Sequence, residues 1–196
     1  MAELVDAHDS KSCIARCEGS IPSPGTMEEN ELLDLVDEND HVIGRKRRGE
    51  VHAEKLHNYR AINLFIVNSR GELWIPKRTA HKQLYPLGLD FSCAGHVASG
   101  ETYEQTLARE VQEELHIDIS KHTLTYLGKL TPPEGSCFAK NWELRLDETP
   151  SYNPDDFISS EWVKPEDLVK RLDAGEYAKS SLVKAVRKFY GVKNAA

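Results

Sequence analysis

Gly95-His-Val-Ala-Ser-Gly-Glu101-Thr-Tyr-Glu-Gln-Thr-Leu-Ala-Arg109-Glu110-Val-Gln-Glu113-Glu114-Leu-His116-Ile117 is the stretch from which the rest of the chain can be read. Its second part predicts a helix over Thr102–Leu115. Thr102 is suited to cap the first turn, and Gln105, three residues on, completes a capping box. Leu107, Val111 and Leu115 recur at i, i+4 and i+8, with Ala108 beside them, and mark a buried stripe. Glu110, Glu113 and Glu114 follow at i, i+3 and i+4, so their carboxylates share one face. Three like charges so placed repel one another by a few tenths of a kcal/mol per pair, and a partner should offset that cost. A hard divalent cation is such a partner, because Mg²⁺ takes a few carboxylates together with phosphate oxygens of a substrate. A solvated acidic face is the plainer reading of the triplet taken alone. Gly95 and Gly100 bracket the preceding residues as a loop and allow backbone to approach a ligand closely.

On either side of this segment, strands and helices alternate. Glu31–Asp37 is short and apolar, and the Glu-Asn-Asp-His turn that follows suggests a hairpin into His41–Arg45. Arg60–Asn68 (RAINLFIVN) is a β-branched, apolar strand, with a turn over Asn68–Gly71 and a partner strand at Leu73–Lys77. Thr79–Leu89, with Pro86 and Gly88, reads as loop. Further strands are expected at Leu124–Leu130 and Cys137–Leu146. Pro165 is placed to open a helix over Glu166–Leu172. Ser180–Tyr190 predicts a last helix with Leu182, Val183, Val186 and Phe189 on one face. The order implies one α/β domain with a mixed sheet between helices, and no internal repeat is visible. Arg45-Lys46-Arg47-Arg48 reads as a solvated turn, since a nucleic-acid patch would interleave aromatics.

The chain has 196 residues, 25 Lys plus Arg against 32 Asp plus Glu, and a net charge of −7. The acidic balance argues against nucleic acid held by bulk charge, and no apolar run is long enough for a membrane helix. Cys13, Cys17, Cys93 and Cys137 follow no metal pattern, and reduced thiols in a cytoplasmic protein are expected. Residues 1–26 read as a flexible tail rich in turn residues. A second reading is a misassigned start, with the protein beginning at Met27. Gly19-Ser-Ile-Pro22 can be encoded as GGU-UCG-AUU-CCC, which resembles the T-loop of a transfer-RNA gene. Residues 27–196 then form the folded domain.

Written as a pattern, the segment is Gly95, five residues, Glu101, seven residues, then Arg109-Glu110-Val111-Gln112-Glu113-Glu114-Leu115-His116-Ile117. This resembles the Nudix box, G-x5-E-x7-R-E-U-x-E-E-x-G-U, where U is bulky and apolar. Every defined position agrees except His116, which stands where the pattern has glycine. Chance agreement is on the order of 10⁻⁸ per start. The glycine lies just past the helix, where a left-handed residue ends it. Histidine is among the residues enriched in that conformation, so the helix should survive the change.

The resemblance implies a Nudix-type α/β/α sandwich and a hydrolase that cleaves a diphosphate linkage, in a nucleoside diphosphate derivative or related small molecule. It implies Mg²⁺, with Mn²⁺ as the alternative ion, held by Glu110, Glu113 and Glu114. Arg109 would pair with Glu101 and orient the glutamates, and Gly95 would admit the diphosphate. The general base would be Glu110 or Glu113, or the off-box Glu134 or Glu143, the last also readable as an outward strand residue. Lys77, Arg78 and Lys82 would contact the diphosphate. Cys137 and Trp142 read as core or pocket wall. Whether copies assemble into a homo-oligomer is left open.

Residues 52–117 also resemble isopentenyl-diphosphate isomerase, a Nudix-fold enzyme, through Lys77-Arg78, Lys82, Tyr85-Pro86 and Gly95-His96. Four departures weigh against that activity. Ala94 stands where the isomerase has its cysteine, and Cys93, one residue off, faces the other way along a strand. His52 is followed at +7 by Tyr59 rather than histidine. The pair that should supply a glutamate reads Asn141-Trp142. The box carboxylates that the isomerase mostly lacks are all present. A third reading is a module that senses a diphosphate without turnover, for which the full carboxylate set has no use.

Overall fold

A computed structural model describes residues 29–193. The expectations for residues 1–26, Cys13 and Cys17 included, lie outside the described residues. Strands β1 (Leu32–Val36) and β2 (Val42–Arg47) form an antiparallel ribbon, followed by the short helix α1 (Arg48–Ala53). A mixed sheet is built from β3 (Arg60–Val67), β4 (Leu73–Arg78), β5 (Cys93–His96), β6 (Leu124–Leu130), β7 (Phe138–Arg145) and β8 (Phe157–Val163). Helix α2 (Tyr103–Leu115) follows β5, and α3 (Pro165–Asp173) and α4 (Leu182–Tyr190) close the chain.

The sheet runs β6-β7-β3-β4-β8, with β7 parallel to β3 and the other pairs antiparallel. Its centre forks. β3 pairs with β4 only at Val67↔Leu73. Along its first half β3 instead pairs with β5, from Ala61↔His96 to Leu64↔Cys93. The fork places the beginning of the box between two strands that have separated.

Alternation along β3 sends side chains into two cores. Ile62, Leu64 and Ile66 meet Leu107, Val111 and Leu115 of α2, with Trp74, Cys93, Trp142 and Leu144. Phe65 and Val67 point the other way, to Phe91 and to Leu168, Val169, Leu182, Ala185 and Val186 of α3 and α4. Helices on both faces of a mixed sheet give the α/β/α sandwich. On α2 the stripe is completed by Tyr103 and Thr106, while Ala108 is exposed. Cys137 and Trp142 are buried, as expected of core residues.

Three elements depart from the sequence reading. β5 was expected to be loop from Gly95 onward, and its four residues become a strand only because β3 offers an edge. β8 carries the weakly alternating FISSEWV and is held by pairing with β4 at the sheet margin. Arg45-Lys46-Arg47-Arg48 is not a turn: three of these residues lie in β2, and Arg48 opens α1.

The ends of α2 follow their local chemistry. Thr102 accepts from the Gln105 amide, and the Gln105 side chain accepts from Thr102 N–H at 2.8 Å. His116 sits at φ 57°, ψ 28° and ends the helix, with its N–H reaching Gln112 O. A left-handed L-residue carries a steric cost that glycine lacks. His116→Gly should therefore raise stability by up to about 1 kcal/mol in urea unfolding. A loss of stability would mean that the exposed imidazole makes a contact the helix depends on.

Candidate active site

The site is organised by the contact between α2 and β5. A Cβ on Gly95 would collide with the carboxyl group of Glu110. Only glycine lets helix and strand come this close, so the side chain of Glu110 fills the place where a side chain of β5 would be. One helical turn on, Glu114 is 8 % exposed and accepts a long 3.4 Å hydrogen bond from Ala94 N–H. Burial pushes the Glu110 carboxyl above the ordinary glutamate value, and Arg109 offsets this only in part. Burial pushes Glu114 up as well, and the charge of Glu110 adds to the effect. Charge on Glu110 thus raises the cost of ionising Glu114, while Glu113 and Glu31 do the same at Glu110.

Arg109 is the hub of the box. Its Nε and Nη2 donate to the two oxygens of Glu101, each at 3.0 Å, and its Nη1 donates to Glu110 at 2.9 Å and to Glu113 at 3.3 Å. Glu101 also accepts from the Thr106 hydroxyl at 2.7 Å. The Arg109 hydrogen bond is the largest influence holding the Glu101 carboxyl below its usual range. Glu101 and Arg109 are eight residues apart and meet because the chain before the helix folds back along it.

The three box glutamates are not placed alike. Glu110 meets β5 at Gly95 and Glu114 meets it at Ala94, whereas the Glu113 side chain is 58 % exposed and shares Arg109 with Glu110. Among the described residues, no three carboxylate, histidine or cysteine groups meet at one point. The Glu110–Glu114 pair nonetheless fits a hard cation: its donors are carboxylate oxygens, its charges repel, and Arg109 bonds directly only to the first.

Other groups expected to act here lie at varying distances. Glu143 is not outward: it is buried on the α4 face of the sheet, where it accepts from the Tyr190 hydroxyl at 3.1 Å. Glu134 pairs with Lys188 of α4 at 2.5 Å. Neither shares the face of α2. Arg78 is paired with buried Asp90 at 2.5 Å and donates to Leu84 O. Lys82 pairs with Asp156 at 2.5 Å. Asp90 and Asp156 both add negative potential at Glu114, so these ion pairs border the carboxylate site. Lys77 is exposed on β4, in a small recess with Ser159 and Glu176.

Sequence reasoning passed over Glu31 and Arg48. Glu31 lies before β1, accepts from Arg48 at 3.4 Å, and is pushed up chiefly by burial. It adds negative potential at Glu110 from the ribbon side. Nothing in the local sequence marks it, because only the docking of the ribbon brings it there.

A forked mixed sheet, a loop–helix carrying buried glutamates and an arginine hub define a class of hydrolytic α/β domain. Residues 57–185 match the NUDIX domain, and the chain belongs to that family. It is 51 % identical over 166 residues to an uncharacterized Nudix hydrolase of Nostoc sp., covering 84 % of this chain and 98 % of that one. A crystal structure of a Deinococcus radiodurans protein is 43 % identical, with TM-score 0.77, covering 82 % of this chain and 99 % of that one. An isopentenyl-diphosphate isomerase of Mycolicibacterium vanbaalenii is 29 % identical over 90 residues, 46 % of this chain and 50 % of that one. The chain is therefore a Nudix hydrolase, and its likeness to the isomerases is a distant one.

The carboxylate pair gives stability a pH dependence. Glu110 and Glu114 hold protons in the folded state that an unfolded glutamate, with its value of 4.5, releases. Their contribution is complete below that value and is lost as pH rises into the neutral range. In EDTA, the wild-type melting temperature should fall between about pH 5 and pH 8 more steeply than that of Glu114→Gln. Parallel slopes for the two proteins would show that Glu114 ionises freely.

Proposed function

We propose that this chain is a divalent-metal-dependent hydrolase of a diphosphate linkage in a small molecule, a nucleoside diphosphate derivative or a compound of similar charge. The close approach of Glu110 to Gly95, with Glu114 buried beside it, carries the reading. Such a pair is costly unless a cation joins it. Glu110 and Glu114 would hold Mg²⁺ or Mn²⁺, with Glu113 as the third carboxylate. Bound there, the ion would neutralise diphosphate charge and make water a better nucleophile.

The residues of the chain do the remaining work. Gly95, whose missing side chain makes room for the Glu110 carboxyl, would let the backbone of β5 approach the diphosphate. Glu110 or Glu113 takes the proton from the attacking water, each lying within reach of Arg109. Arg109, fixed by two hydrogen bonds to Glu101, holds the glutamates in register without needing to touch substrate. Arg78 and Lys82, steadied by Asp90 and Asp156, would supply positive charge at the margin of the site, and Lys77, in its recess with Ser159 and Glu176, would reach only a distal part of the substrate. No helix among the described residues is long and apolar enough to cross a membrane. The acidic balance favours a small-molecule substrate over nucleic acid, and a cytoplasmic setting is part of the same proposal.

The isomerase reading lacks its nucleophile. Cys93 is fully buried against α2, and burial holds its thiol well above the ordinary range. Ala94 offers no reactive group in its place.

The test is a screen of nucleoside diphosphate derivatives with Mg²⁺, followed by Glu114→Gln on the best substrate. We expect kcat to fall by at least about a thousandfold with the far-ultraviolet spectrum intact. Near-normal turnover would remove the carboxylate pair from the mechanism. Solvent deuterium entering isopentenyl or dimethylallyl diphosphate would restore the isomerase reading.

A double-mutant cycle examines the hub. Arg109→Ala should lower kcat more than it raises KM, because misplaced glutamates weaken the transition state specifically. Arg109→Ala and Glu101→Ala together should cost less than the sum of the two single changes, by about 1 kcal/mol or more. Additive effects would show that the pair does not act as a unit.

A further inference from the structure

Helix α1 carries groups that the hydrolytic site leaves unused. The rings of Tyr59 and His96 stack at 5.3 Å with 26° between their planes. His52 of α1 stands edge-on to both, at 5.8 Å from Tyr59 and 5.1 Å from His96. The Tyr59 hydroxyl is engaged with Cys137. His52 Nε2 is buried and has no hydrogen-bond partner. A buried ring nitrogen without a partner is uncommon in a folded protein and marks a place where a ligand atom can complete the bonding.

The position of this cluster relates it to the box. His96 immediately follows Gly95, but alternation along β5 sends its side chain to the face opposite Glu110. Arg48, one turn before His52, pairs with Glu31, whose charge is felt at Glu110. Arg48 therefore links the two histidines, through its ion pair with Glu31, to the electrostatics of Glu110. We propose that His52 and His96, beside Arg48, form an anion site that takes the phosphate group of the substrate lying away from Glu110 and Glu114. The ligand's identity rests on the hydrolase reading above.

The surroundings favour an anion over a metal ion. Burial lowers the affinity of both imidazoles for protons; Arg48 adds to this at each ring, and Lys179 and Arg78 add to it at His96. A neutral imidazole can donate one N–H to a phosphate oxygen. A cation placed between the rings would meet the same positive potential, and no third histidine, cysteine or carboxylate among the described residues completes a site for one.

The experiment uses the full chain without metal and inorganic pyrophosphate as probe. Histidine Cε1–H resonances, assigned through His52→Phe and His96→Gln, are followed by NMR as pyrophosphate is added. We expect saturable shifts of the His52 and His96 signals. His52→Phe keeps an aromatic ring in place but removes the donor. It should melt as a folded protein and bind pyrophosphate at least tenfold more weakly. With the substrate found in the screen, the same variant should raise KM at least tenfold and change kcat by less than threefold. Pyrophosphate binding that leaves these two signals unmoved, or that is unaltered in His52→Phe, overturns the proposal. So does broadening of the pair by Mn²⁺ while pyrophosphate leaves it unmoved. The two readings fail separately. Hydrolysis with silent histidines removes only the anion site, whereas shifted histidines in a protein that hydrolyses nothing removes only the hydrolase reading.

Discussion

The approach of α2 to β5 at Gly95 is the constraint on which the rest of the structure depends. Helix and strand are drawn together by Leu107, Val111 and Leu115 packing on Ile62, Leu64 and Cys93. That apolar contact buries Glu110 and Glu114, which lie on the same helix but would choose water if left to themselves. The energy of the core is thus used to hold two carboxyl groups where ionising both is costly. Carboxyl groups perturbed in this way cluster at functional sites.

Arg109 shows how the cost is contained. A single guanidinium reaches Glu101, Glu110 and Glu113, and its planar fork satisfies both oxygens of Glu101. A lysine could supply the charge but not that geometry. Glu101 lies outside the helix, so the salt bridge also fixes the path of the chain between β5 and α2. The same interaction therefore shapes the loop and balances the electrostatics of the helix face.

The forked sheet extends the site beyond the helix. Where β4 parts from β3, Arg78–Asp90 and Lys82–Asp156 line one side, and their carboxylates are felt at Glu114. On the other side the β1–β2 ribbon and α1 bring Glu31, Arg48 and His52. These residues come from several elements, and the ion pairs Arg78–Asp90, Lys82–Asp156 and Arg48–Glu31 join segments that are apart in the chain. Specificity in such an arrangement resides in the flanking elements, while the box itself supplies chemistry common to many substrates.

The box was legible because its logic is local. Capping by Thr102, the apolar stripe and the i, i+3, i+4 glutamates follow from spacing within one helix, while the left-handed His116 and the Arg109–Glu101 pair were expected from the resemblance of the segment to the Nudix box. The strands of the central sheet were legible for the same reason, since their β-branched runs are continuous. β5 and β8 were not, because four residues that include a glycine and a polar edge strand become strands only when a neighbour offers hydrogen bonds. Which glutamates share a point could not be read either. Helical spacing put all three on one face, but burial under β5 separates Glu110 and Glu114 from exposed Glu113. Glu143, readable as a general base or as an outward strand residue, is buried, because the second layer of helices covers that face. Sequence by itself determined the helix that bears the chemistry, as neighbouring residues decide it. Tertiary structure alone decided what surrounds that helix, because burial and long-range charge depend on elements distant in the chain.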